Sequence, residues 1–161
     1  MNDWLPALIL LSDHNGSWHP YLEAVYAHFC RDFVHAKPIF RSCRLGLKRY
    51  PVEQEKEATF WHLVSEGAVK ADRLPDLRRT ERICWPRPMI EQENIQQLPV
   101  WEQKRNGQRR VAISLADFSY VVILAERTTD KGPMYLPWTA FYVEHNNQRR
   151  KLRSEWEKSS L

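Results

Sequence analysis

The chain has 161 residues, a length that suits one domain, and it carries a formal net charge of +4. The apolar run Leu5 to Leu11 is too short to cross a bilayer, and it lacks the flanks of a secretory signal. Cys30, Cys43 and Cys84 are odd in number and form no C-x-x-C pair, so we expect reduced core thiols and no metal site. These features predict one soluble, cytoplasmic domain over residues 1–161, without a cofactor or a membrane span. The basic surplus suits a polyanionic partner.

Patterns in the first half of the chain are mainly helical. Residues Leu5 to Ser12 suit either a short buried strand or a helical turn. Apolar residues recur at helical spacing from Pro20 to His35 and from Glu53 to Glu66, which predicts two helices. Between them, polarity alternates from Ile39 to Tyr50, which predicts a half-exposed strand.

The remainder is more β-like. The patterns predict strands at Arg82 to Trp85, Arg109 to Leu115, Phe118 to Glu126 and Tyr135 to Glu144, a brief helix from Pro86 to Gln96, and a closing basic helix from Asn146 to about Trp156. The expected fold class is therefore α+β, with N-terminal helices packed on a C-terminal antiparallel β-sheet in a single domain.

One candidate for chemistry is His62 in the predicted helix Glu53 to Glu66. Helical spacing places Thr59 and Glu66 on the same face as His62, with Glu55 two turns earlier. An imidazole near a carboxylate can act as a general acid or base at neutral pH. A structural histidine bonded to a carbonyl oxygen would give the same pattern. No glycine-rich phosphate loop, nucleophile elbow or metal-binding histidine pair occurs, which excludes the usual basis for most enzyme classes.

Four further segments carry polar or basic side chains that could contact a ligand. Arg78, Arg79 and Arg82 enter a predicted strand, where they would either clamp a phosphate or lie in a solvated turn. On a regular strand, Thr139 and Phe141 share one face while Trp138 and Tyr142 share the other. Such a strand can bond a phosphate and stack a base, or it can simply pack against its neighbours. Two basic clusters, Lys104-Arg105-Arg109-Arg110 and Arg149-Arg150-Lys151-Arg153, suit either a nucleic acid backbone or a solvated surface.

Four short segments occur in an order that resembles a known family. They are Lys-Arg-Tyr-Pro (48–51), Lys-Glu-Ala-Thr-Phe-Trp-His (56–62), Pro-Asp-Leu-Arg-Arg-Thr-Glu-Arg-Ile-Cys-Trp (75–85) and Trp-Thr-Ala-Phe-Tyr-Val (138–143). Together they resemble phage and prophage proteins of the barnase–EndoU–colicin–RelE-like ribonuclease superfamily. The resemblance extends from Arg44 to Arg153, which makes residues 39–161 the ribonuclease-like core and residues 1–38 an N-terminal strand and helix region.

The resemblance implies a small, toxin-like endoribonuclease that cuts RNA without a metal ion, leaving a 2′,3′-cyclic phosphate. It implies His62, Arg79, Arg82 and Thr139 as catalytic residues, and Lys48, Phe141, Tyr142 and Arg44 as substrate-binding residues. Phe141 stands where such motifs usually have tyrosine, so a phenol is missing there. The implied partners are RNA and an antitoxin or immunity protein. Two alternatives stay open: an inactive RNA- or protein-binding module of the same fold, and a structural protein whose aromatic clusters are all core.

Overall fold

A computed structural model describes residues 3–66, 74–92 and 98–159. The helices are α1 (Trp18–Phe29), α2 (Ala58–Val64), α3 (Leu77–Glu81), α4 (Pro86–Gln92) and α5 (Asn146–Ser159). The strands are β1 (Ile39–Phe40), β2 (Cys43–Arg44), β3 (Ser65–Glu66), β4 (Leu74–Pro75), β5 (Val100–Arg105), β6 (Gln108–Ser114), β7 (Tyr120–Thr129) and β8 (Gly132–Tyr142). Helices come first and the main sheet follows, which confirms the predicted α+β class. None of the helices in the described ranges is long and apolar enough to span a membrane.

The main sheet is antiparallel, with the strand order β5-β6-β7-β8, so β8 is an edge strand. Side chains alternate along each strand and divide the sheet into two faces. Val111 and Val122 lie on the inner face, in the core formed with α1, α2 and α4. Ala112 and Val121 lie on the opposite face, which we call the α5 face because Leu152 of α5 packs there.

A β-bulge interrupts the pairing of β7 with β8. Ile123 pairs with Thr139 and Leu124 pairs with Pro137, so Trp138 is the extra residue. The bulge places Trp138 on the α5 face together with Phe141, whereas Tyr142 packs against the inner core. The prediction that Trp138 and Tyr142 share a face is therefore wrong, because it assumed a regular strand. Beyond the bulge, Tyr142 and Phe141 do lie on opposite faces as predicted.

Several predicted elements differ from the observed ones. The predicted strand Ile39 to Tyr50 is only the short pair β1 and β2, because Arg41 and Ser42 turn the chain with φ of 50° and 66°. No strand forms from Arg82 to Trp85, since a turn joins α3 to α4 there. The predicted helix from Glu53 begins only at Ala58, and strand β5 was not predicted at all.

The other predicted boundaries are closer to the structure. The helix expected from Pro20 to His35 is α1 followed by a π-helical turn over Cys30–His35. Within the segment Leu5 to Ser12, the chain has no regular secondary structure up to Leu10 and then enters a 3-10 turn. The helix expected from Pro86 to Gln96 is α4, and residues 93–97 lie outside the described ranges. The closing helix begins at Asn146 as predicted.

Buried polar contacts hold α3 and the loop before α2 in position beside β8. The hydroxyl oxygen of Tyr21 lies 2.9 Å from both the Ile9 carbonyl oxygen and Thr80 Oγ1. Thr80 is itself buried in α3. Thr59 of α2 is also buried, and its Oγ1 accepts a 2.7 Å hydrogen bond from the backbone nitrogen of Lys48. These contacts set the positions of α3 and of the loop before α2.

Candidate active site

Thr139 on the edge strand β8 is held by an arginine from α3. Nη1 of Arg79 donates to Thr139 Oγ1 at 3.0 Å and to the carbonyl oxygen of Ser65 at 2.8 Å. Asp76 caps α3 by accepting from the backbone nitrogen of Arg78 at 2.8 Å, which fixes the start of that short helix. Because Oγ1 accepts the Arg79 proton, the hydroxyl proton of Thr139 is left to donate elsewhere. Among the described residues, Thr139 Oγ1 makes no hydrogen bond other than the one from Arg79.

The Arg79 side chain is only 11% exposed. Its Nε is buried without a hydrogen-bond partner in the described ranges, and the nearest carboxylate oxygen, Asp76 Oδ2, is 3.8 Å away. Burial lowers the pKa of Arg79, while the negative charges of Asp76 and Glu66 oppose that shift. An arginine keeps its charge through such a shift. The result is a concentrated positive charge behind the Thr139 hydroxyl.

His62 meets the same strand one residue earlier. Its ring centroid lies 4.8 Å from that of Trp138, with the two planes at 83°. The neighbours Phe60, Leu63 and Val64 are buried, which leaves His62 half-buried at the edge of α2. His62 and the pair Arg79–Thr139 are thus brought to consecutive residues of β8.

The other members of the predicted His62 face are placed differently. Thr59 is completely buried and bonds the backbone of Lys48, so it does not face a ligand. Glu55 precedes α2, because the helix begins at Ala58. Glu66 follows the helix in β3, where it is exposed and contributes to the field at Arg79. The assumption of one continuous helix over these positions is therefore wrong.

The predicted substrate-binding residues divide between the two sides of β8. Phe141 lies on the Thr139 side, with the Arg79 Cζ atom 6.0 Å from its ring centroid. Lys48 also joins this group, because its Nζ lies 5.7 Å from the ring centroid of Trp138. Arg44 lies exposed in β2, outside the group.

Arg82 and Tyr142 lie together on the other side of the strand. The Arg82 Cζ atom is 4.6 Å from the Tyr142 ring centroid, and Arg78 and Arg149 contact the same ring at 5.1 and 5.8 Å. Arg82 caps the end of α3 instead of entering a strand, which corrects its predicted place. The structure therefore joins Arg79 to Thr139 and separates Arg82 from them.

Trp138 is the residue at this site for which the sequence predicts the wrong face. Pro137 was the available signal, because proline within a strand favours an edge position or a bulge. The chemistry of the site is that of a histidine and a hydroxyl donor in a positive field.

Comparisons of the chain with protein-family models, curated proteins and solved structures give no match.

Proposed function

We propose that the protein is a metal-independent, toxin-like endoribonuclease whose active site contains His62, Arg79 and Thr139. The observation that carries the proposal is the contact between Arg79, whose side chain is only 11% exposed, and Thr139 Oγ1, one residue along β8 from the tryptophan that packs on His62. An RNA phosphate needs hydrogen-bond donors and positive charge as its negative charge grows during cleavage, together with a group that transfers protons.

The proposed reaction is an internal transfer within RNA. The ribose 2′-oxygen loses its proton and attacks the adjacent phosphorus, and the bond to the 5′-oxygen breaks as that oxygen takes up a proton. The products are a 2′,3′-cyclic phosphate and a free 5′-hydroxyl. His62 transfers one of the two protons, Thr139 donates to a non-bridging phosphate oxygen, and Arg79 stabilises the added charge through Thr139.

The direct test uses purified protein, single-stranded RNA and EDTA, with product ends identified by mass spectrometry. We expect cleavage with 2′,3′-cyclic phosphate ends, and no cleavage of the matched DNA strand, which lacks the 2′-hydroxyl. His62→Gln keeps a polar side chain without an imidazole and should reduce the rate by roughly 10²- to 10⁴-fold. Its melting temperature should stay near that of the wild type, because His62 is only half-buried.

Intact RNA after incubation with the folded wild-type protein would overturn the proposal. Full activity of a folded His62→Gln variant would remove His62 from the mechanism. Metal-dependent cleavage that stops in EDTA would also exclude the proposed chemistry.

A second candidate function is RNA binding without cleavage. It is favoured by Phe141, which occupies the face of β8 shared with Thr139 and supplies no phenol. Tyr142 does not replace it, because Tyr142 lies on the inner face among Arg78, Arg82 and Arg149. Binding of RNA by the wild-type protein without any product in the EDTA assay would select this second function.

A further inference from the structure

Three cations from three separate segments surround the ring of Trp138. The Arg110 Cζ atom of β6 lies 5.3 Å from the ring centroid, and the Arg127 Cζ atom of β7 lies 5.7 Å from it. Lys48, from the loop before α2, brings its Nζ to 5.7 Å. The bulge makes this convergence possible, since it moves Trp138 onto the face from which Arg110 and Arg127 project. We call these four residues the Trp138 cluster.

No carboxylate compensates the Trp138 cluster in the described part of the chain, where Lys48, Arg110 and Arg127 form no ion pair. Acidic residues do pair with the neighbouring cations on the inner face: Glu126 lies 3.6 Å from Arg109, and Glu102 lies 3.8 Å from Arg41. Burial lowers the pKa of Arg110, and repulsion from Arg105 and Arg127 lowers it further. Like charges held together without a counter-charge destabilise one another, so this arrangement suits a bound anion.

Unused donors accompany the charge. Nε of Arg110 is buried and has no hydrogen-bond partner within the described residues. The Trp138 indole nitrogen makes no hydrogen bond there either, whereas the indole nitrogens of Trp61, Trp85 and Trp101 all donate. A phosphate group with several acceptor oxygens would satisfy such donors, and arginine is well suited to it.

We infer that the Trp138 cluster is a second phosphate-binding subsite, which takes a backbone phosphate of the RNA strand next to the one that is cleaved. This identification of the ligand rests on the proposed function. The support for this ligand is that the Trp138 cluster adjoins the candidate active site. His62 packs directly on Trp138, and Thr139 follows Trp138 in the chain. A strand with one phosphate at Thr139 would therefore have a neighbouring phosphate within reach of Arg110, Arg127 and Lys48.

A binding experiment tests the subsite without cleavage. The probe is a labelled hexanucleotide of 2′-O-methyl RNA, which has no free 2′-hydroxyl, and its affinity is measured by fluorescence anisotropy at several salt concentrations. The double variant Arg110→Gln/Arg127→Gln should bind roughly ten- to a hundredfold more weakly than the wild type. The slope of the logarithm of the association constant against the logarithm of the salt concentration should become shallower by about 0.7, because one phosphate contact with a single strand is lost.

The matched control removes two charges from the other face of the same sheet. Lys104 and Arg109 form a register pair of β5 and β6, and both are exposed on the side opposite Arg110. The variant Lys104→Gln/Arg109→Gln has the same net charge as the test variant, so a general charge effect would weaken both equally. Equal loss in the two variants, or wild-type affinity and slope in Arg110→Gln/Arg127→Gln, would overturn the subsite.

Two further measurements address misfolding of the double variant and binding of a free anion. If the double variant does not fold, Lys48→Gln serves in its place, because Lys48 is exposed; it should also weaken hexanucleotide binding, and wild-type affinity would count against the subsite. Inorganic phosphate should compete only weakly with the hexanucleotide. Competition as strong as that of the oligonucleotide would show a site for a free phosphate and overturn the assignment to RNA.

Cleavage kinetics distinguish failure of the subsite from failure of the proposed function. The wild type should cleave a hexanucleotide with a higher kcat/KM than a dinucleotide, and Arg110→Gln/Arg127→Gln should lower only the hexanucleotide value. Cleavage by the wild type with unchanged length dependence in the variant would exclude the subsite and keep the ribonuclease. Specific binding to the cluster without any cleavage would exclude the ribonuclease and keep the subsite.

Discussion

Arg79 and Thr139 are joined at the edge of the sheet, 60 residues apart in the chain, by a 3.0 Å hydrogen bond. The side chain of the donor is largely shielded from solvent, and the acceptor lies on an edge strand of the sheet. Since the same Nη1 also binds the Ser65 carbonyl oxygen, the arginine connects α3, β3 and β8 at one point. The orientation of the Thr139 hydroxyl therefore depends on the packing of all three elements.

We expect Thr139→Val to lower the cleavage rate by roughly ten- to a hundredfold, because valine has a similar shape but cannot donate to a charged phosphate. Thr139→Ser keeps the hydroxyl and should retain most of the activity. Single-turnover cleavage measures both. Full activity in Thr139→Val, with a loss only in Thr139→Ser, would mean that the methyl group and not the hydroxyl is required.

We expect Arg79→Lys to lower both activity and stability, although the charge is kept. A lysine side chain is shorter than the path to Nη1 of arginine, so its ammonium nitrogen would not reach the Ser65 and Thr139 oxygens together, and one acceptor would lose its partner. Such a loss costs roughly 1–3 kcal/mol of unfolding free energy, measurable by urea denaturation. Arg150→Lys on exposed α5 is the control and should change neither quantity. Wild-type stability of Arg79→Lys would show that the reach of the arginine side chain is not required.

We expect Tyr21→Phe to destabilise the fold by roughly 1–3 kcal/mol, because it removes the hydroxyl between Ile9 and Thr80 while keeping the ring. The loss should appear as a lower urea midpoint with an unchanged denaturant slope. Tyr21 anchors the first segment of the chain to α3, so RNA cleavage by the folded variant should be affected less than its stability. A midpoint equal to that of the wild type would rule out this role.

Buried tyrosines give an expectation for alkaline pH. Burial raises the pKa of Tyr120, and likewise that of Tyr21, above the ordinary value of a phenol. The folded state then holds these protons more tightly than the unfolded state. The contribution of these tyrosines to the free energy of unfolding is therefore fully present below a pH of about 10. It falls as the pH rises further, because the unfolded chain ionises first.

The measurement is the free energy of unfolding at a series of alkaline pH values. Each such tyrosine contributes up to about 1.4 kcal/mol per pH unit to the fall. Tyr120→Phe removes one contribution and should make the fall less steep, whatever its effect at neutral pH. An identical pH dependence in the variant and the wild type would show that Tyr120 does not take part.

How well the sequence predicted each element depended on the contacts that hold it. Strands β6 to β8 were predicted because their apolar and β-branched residues are dense and local. Strand β5 was missed because Val100–Arg105 is mostly polar and gains its structure by pairing with β6. The predicted strand Ile39 to Tyr50 failed because two residues with positive φ end the alternation after Phe40.

The candidate site was predicted only in part, for a similar reason. The resemblance named His62, Arg79 and Thr139, and the structure brings these three to neighbouring points of β8. The Trp138 cluster was not predicted, because Lys48, Arg110 and Arg127 are distant in sequence and meet only through sheet pairing. Arg109 and Arg110 belong to one basic cluster in the sequence, but as neighbours on β6 they project from opposite faces of the sheet.

The extra residue at Trp138 divides β8 into two independent registers. Before it, Tyr135 packs edge-on against Phe40 in the core; after it, Thr139 faces Arg79. A one-residue slip of the first half would turn Tyr135 out of the core, so a change of length in the β7–β8 turn has to be absorbed in the exposed tip, Thr128 to Lys131. The exposed tip of this hairpin can therefore change in composition while the contacts of Tyr135 and Thr139 are kept.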